Sequence, residues 1–139
     1  MAAFTLDSDT RSTVSTPADL YAFLSDFRHF NSILPEDKIE DFRAEADSCS
    51  FTIKGITPLS IRIVEKETNR FIRFSSEGLS KFNFRLLAQF HGDAHSPGQC
   101  SVQMQGELNP FILKMAEKSL RALINSMSLK LSQLQLPQT

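Results

Sequence analysis

Residues 109–135 read NPFILKMAEKSLRALINSMSLKLSQLQ. Asn109 can cap a helix, and Pro110 sits at the first helical position, where no backbone donor is needed. Beyond them Leu113, Ala116, Leu120, Leu123, Ile124, Met127, Leu131 and Leu134 recur at the 3.6-residue period and share one side. The spacing predicts one amphipathic helix from Pro110 to about Gln135, ending before Pro137 and roughly 37 Å long. A rod of that length with a single oily side needs a broad apolar surface to lie on. The upstream sequence must supply it.

Upstream the period changes to two. From Lys81 to His91, Phe82, Phe84, Leu86, Ala88 and Phe90 point one way, and Asn83, Arg85 and Gln89 the other. From Gln99 to Leu108, Cys100, Val102, Met104, Gly106 and Leu108 alternate with Gln99, Ser101, Gln103, Gln105 and Glu107. Such one-sided alternation predicts antiparallel strands with one wet face. Shorter alternations precede them: Phe42, Ala44 and Ala46; Cys49, Phe51 and Ile53; Leu59, Ile61 and Ile63; Ile72 and Phe74. Asp47-Ser48, Gly55 to Pro58 and Thr68-Asn69 separate them as turns or breaks.

Phe4 to Val14 reads as one further strand, with Phe4, Leu6, Ser8, Thr10, Ser12 and Val14 in phase. Thr16-Pro17-Ala18-Asp19 then starts a helix, with Thr16 as cap and Asp19 completing a capping-box pattern. Leu20, Phe23 and Leu24 share one face of it. Asp26 caps a second short helix carrying Phe27, Phe30, Ile33 and Leu34, which stops before Pro35. The order is strand, two short helices, six strands, long helix. It predicts an α+β fold in which a curved, seven-stranded antiparallel sheet wraps around the last helix.

The chain has 139 residues, 41% of them hydrophobic and 22% charged, with a formal charge of −1. That length and the absence of repeats, low-complexity tracts or linkers predict a single domain over residues 1–139. The charge balance argues against nucleic acid as a partner, since such binders carry a basic excess. No apolar run approaches the roughly 20 residues that span a bilayer, and the N-terminus has no secretory-signal pattern, so the cytoplasm is the expected compartment. Twelve Phe against one Tyr and no Trp suit a large apolar interior.

Several strings resemble the START-like superfamily, which includes the birch-pollen allergens and the polyketide cyclase/dehydrase and lipid-transport group. They are Thr16-Pro17-Ala18-Asp19-Leu20-Tyr21-Ala22-Phe23-Leu24-Ser25-Asp26, Phe30-Asn31, Leu34-Pro35 and Asn109-Pro110. The resemblance implies the helix-grip arrangement and a cavity between sheet and long helix that takes an apolar or amphipathic small molecule, such as a lipid, quinone or polyketide. Its strand lining would be Phe51, Ile53, Ile61, Ile63, Phe74, Phe84, Leu86, Met104 and Gly106, where Gly106 leaves room near the helix. The helix would add Leu113, Ala116 and Leu120.

A dry apolar void of about 300 Å³ would cost roughly 7 kcal/mol, comparable to the whole stability of a small domain. The interior must therefore open to water, hold a ligand, or be filled by side chains. Two other functional classes use the same fold: a polyketide-cyclase-type enzyme, and a protein-interaction or chaperone-cofactor domain. The enzyme requires polar groups converging inside, with Thr10, Ser12, Ser76 or an inward-turned Arg as candidates. No catalytic motif is present, and no cofactor or metal is implied.

The remaining candidates have structural readings. His91-Gly92-Asp93-Ala94-His95 holds two imidazoles and a carboxylate but reads as a solvated hairpin loop. His29 reads as an exposed or capping histidine. Cys49 and Cys100 read as buried free thiols. Arg62, Arg73 and Arg85 fall on the outer parity of their strands. On the back of the last helix, Phe111, Met115, Ala122 and Leu129 lie beside Lys114, Lys118 and Arg121. That face leaves room for transient membrane contact or a homodimer.

Overall fold

A computed structural model of the chain describes residues 2–54, 58–77 and 83–136. The strands are β1 (Ala2–Asp7), β2 (Arg11–Ser12), β3 (Ile39–Ala44), β4 (Ser48–Ile53), β5 (Pro58–Glu67), β6 (Phe71–Ser76), β7 (Asn83–His91) and β8 (Gln99–Leu108). They form one antiparallel sheet in the order β1-β8-β7-β6-β5-β4-β3, with β2 continuing along β8 beyond β1. Helix α1 (Pro17–Leu24) and 3-10 helices at Phe27–Ile33 and Glu36–Lys38 lie between β2 and β3, and α2 spans Pro110–Gln133.

The expected caps are present. The Thr16 hydroxyl accepts from the Asp19 N–H at 3.2 Å, and Asn109 Oδ1 accepts from the Phe111 N–H at 2.9 Å. Asp26 Oδ1 accepts from the Arg28 N–H at 2.9 Å, opening the first 3-10 helix. Its Phe27, Phe30 and Ile33 are buried, and Leu34 and Pro35 after it are buried too. Lys81, Phe82, the Gly55–Thr57 part of the expected break and Pro137 lie outside the described residues.

The first strand departs from its expected form. Asp7 pairs with Gln103 but Arg11 with Cys100, so β1 and β2 together carry one residue more than β8 across this stretch. Ser8 holds the bulge: its N–H donates to the Val102 carbonyl, and its hydroxyl accepts from the Val102 N–H, both at 2.8 Å. An extra residue reverses the side-chain parity. Thr13 is therefore buried and Val14 is exposed, the reverse of the regular alternation. Ala46 is likewise exposed, because it lies in the turn before β4, where its carbonyl accepts from the Phe27 N–H.

Further one-residue irregularities fall in β3, between Glu40 and Arg43, and in β5, between Ile63 and Glu65. In β3 the left-handed φ of 54° at Asp41 takes up the extra residue. Phe42 still faces inward and stacks on Phe51 at 6.4 Å.

Helix α2 lies along β8, β1 and β2 and against the first 3-10 helix. Ala116, Leu120, Leu123, Ile124, Met127 and Leu131 are buried. Its C-terminal half is tied down by polar bonds. Arg11 Nε donates to the Ser128 hydroxyl at 3.1 Å, Lys130 Nζ to the Leu34 carbonyl at 2.7 Å, and the Ser15 hydroxyl to the Leu134 carbonyl at 2.7 Å.

Candidate binding site

The inner side of the sheet is apolar by strand parity. All twelve expected lining residues lie on it or on the facing side of α2. Phe51, Ile53, Ile61, Phe74, Phe84, Leu86, Met104 and Leu120 are at most 4% exposed. Ala116 is buried, while Ile63, Gly106 and Leu113 are only partly so.

Cross-strand register arranges these residues in rows. Ile63, Phe74, Leu86, Met104 and Leu6 form a row across mid-sheet. Phe27 and Phe30 pack over it, with ring centroids 5.3 and 5.5 Å from Phe74 and 5.2 Å from each other in tilted and edge geometry. Such contacts fill the middle of the grip with ring edges on ring faces. The next row, toward the start of α2, includes Phe84, Gly106 and Phe4. Gly106 does not leave empty space there, because a Cβ on it would meet the Phe4 ring at 3.0 Å. Beside this row Ser76 is engaged, its hydroxyl accepting from the Phe84 N–H at 3.1 Å. Thr10 and Ser12 are exposed, so neither joins Ser76 on the inner side; the buried polar side chains include Thr13, Ser128 and Ser132, and Arg11 donates to Ser128.

Above this row the helix changes character. Its first turns place Leu113 partly buried and Ala116 inward, while Phe111, Ile112 and Met115 are 74%, 50% and 72% exposed. Apolar surface therefore runs from solvent to the interior at this end.

The outer side of the sheet is polar. Arg62 lies near Asp47 and Glu77, at 3.9 and 3.8 Å, and Arg73 bonds Glu65 at 3.2 Å. A cleft of about 500 Å³ lies where β1, β8, β7 and β6 meet, lined by outer-parity Thr5, Ser75, Arg85, Gln105 and Glu107 and also by inner-parity Phe4, Ser76, Phe84 and Gly106. Their alignment into one cleft depends on register, which no single strand reveals.

The other candidates take their structural roles. Asp93 accepts from the His95 N–H and the Ser96 hydroxyl, which folds the loop, and no three metal-binding side chains cluster among the described residues. His29 stacks on Phe23 at 4.5 Å, with Nδ1 at 2.9 Å from the Phe23 carbonyl. Burial pushes the Cys49 thiol up to about 12, with Glu77 adding to the effect, and burial pushes Cys100 up to about 11. Neither thiol is a nucleophile near neutral pH.

The fold is that of the START-like, birch-pollen-allergen-like helix grip. Norcoclaurine synthase from Thalictrum flavum superposes with a TM-score of 0.68 at 9% identity, covering 94% of this chain and 85% of that one. A START superfamily protein from Mycobacterium smegmatis gives 0.65 at 11%, covering 91% and 96%. A conserved protein from Geobacillus kaustophilus gives 0.67 at 11%, covering 93% of each. At such identities the likeness concerns fold alone. No protein-family profile matches the chain, and no curated protein does.

Proposed function

We propose that this chain is a binding or carrier module for an apolar or amphipathic small molecule, held between the sheet and the N-terminal half of α2. The carrying observation is the continuous apolar surface from exposed Phe111, Ile112 and Met115, past Leu113 and Ala116, to the inner strand faces. The aromatic cluster of Phe27, Phe30 and Phe74 occupies mid-sheet, so the ligand would sit on the α2 N-terminal side of it. Related folds include a START superfamily protein, which agrees with this reading.

Native mass spectrometry of the freshly purified protein, followed by titration with fatty acids and short-chain quinones, tests the proposal. A retained or saturably bound apolar molecule is expected. Ala116→Phe, which puts a ring between α2 and the sheet, should weaken binding at least about tenfold, the effect of losing roughly 1.4 kcal/mol. No binding by the parent, or equal binding by a folded Ala116→Phe, overturns the reading.

A further inference from the structure

Three of the large exposed hydrophobic side chains, Phe111, Ile112 and Met115, fall within five residues at the start of α2. Phe111 and Met115 are one turn apart, and Ile112 borders them on the side nearer the core. Lys114 and Lys118 line the other border, so an oily strip and a basic strip run side by side along the first turns. Helix α2 holds four of the chain's fifteen basic residues but only one of its sixteen acidic ones, Glu117. Glu117 is itself engaged by Arg121 at 3.3 Å. A chain of net charge −1 thus concentrates positive charge beside its exposed apolar residues. A neutral protein partner would match the oily strip but not the ammonium groups. An anionic bilayer matches both, because acyl chains and negative headgroups lie within a few ångströms of each other.

We propose that the N-terminal half of α2 docks this protein on an anionic lipid bilayer. Phe111, Ile112 and Met115 enter the boundary between headgroups and acyl chains, and Lys114 and Lys118 meet lipid phosphates. The contact is reversible, since one short amphipathic strip falls far short of a spanning helix and no described helix is long and apolar enough to cross a membrane. Docking brings the apolar surface at Leu113 and Ala116 to the lipid phase. This deepens the carrier reading by naming where an amphipathic cargo is exchanged, and the cargo part alone rests on that reading.

Flotation of the full chain with vesicles of phosphatidylcholine, or of phosphatidylcholine and phosphatidylglycerol in equal parts, provides the test. Binding to the mixed vesicles, weakened by salt, is expected. Lys114→Gln with Lys118→Gln should lower that binding about 30-fold, the effect of losing two near-surface cations. Phe111→Ser with Met115→Ser should abolish it while the far-ultraviolet circular dichroism stays unchanged. Absence of flotation, equal flotation with both vesicle types, or retention of binding in the serine variant overturns docking. So does concentration-dependent self-association in light scattering that Met115→Glu abolishes, if the parent does not float; the strip is then a contact between two copies. Ligand retention in native mass spectrometry without flotation defeats docking and leaves the carrier reading standing. Flotation without any retained ligand does the reverse.

Discussion

Gly106 is the residue whose substitution reads the interior most directly. A Cβ there would approach the Asn83 carbonyl oxygen to 2.6 Å, a distance that requires the backbone to move. Gly106→Ala is therefore expected to destabilise the protein by about 1–3 kcal/mol through overpacking, measured by urea denaturation. Cys49 gives a second residue-scale expectation. Its folded thiol stays protonated to about 12 while the unfolded one ionises near 9.0. Its contribution to stability is full below about pH 9 and is lost as pH rises toward 12. Urea midpoints between pH 8 and 11 should fall less steeply in Cys49→Ala than in the parent. Inward parity made the burial of both cysteines, and of strand residues such as Phe51, Ile61, Phe74 and Met104, legible in the sequence. It failed at Thr13 and Val14, because the Ser8 bulge depends on a hydroxyl bonding to Val102 across the sheet, and no local pattern marks such a bond.

At the scale of elements, caps and periods were the strongest signals. Thr16, Asp26 and Asn109 all cap as their positions in the chain suggest, since capping is a contact within three residues. Thr16→Ala should cost about 1 kcal/mol in thermal or urea unfolding. The two halves of α2 differ in a way the sequence did not reveal. The C-terminal half is held by Arg11, Ser15 and the Leu34 carbonyl, all distant in sequence. The polar side-chain contacts described at the N-terminal half are its own Asn109 cap and the Glu117–Arg121 pair. Amide hydrogens over residues 113–119 should exchange faster than those over 123–131, as hydrogen-exchange mass spectrometry can show.

For the molecule as a whole, the meander and the covering helix followed from repeated one-sided alternation and one long stripe. How far the interior is filled was not legible. Phe27 and Phe30 reach Phe74 only because the first 3-10 helix is laid over mid-sheet, a tertiary placement. Phe74→Ala removes the ring that both contact and should cost about 3–5 kcal/mol in the urea-unfolding free energy.

The bulges have a consequence beyond parity. The sheet ends on one side in β1 and β2, interrupted around Ser8, and on the other in β3, interrupted at Asp41. Edge strands broken in this way offer poor templates for a foreign strand, which guards against aggregation. Deleting Asp41 would straighten one rim and should raise the rate of fibril or precipitate formation on warming, scored by turbidity against the parent.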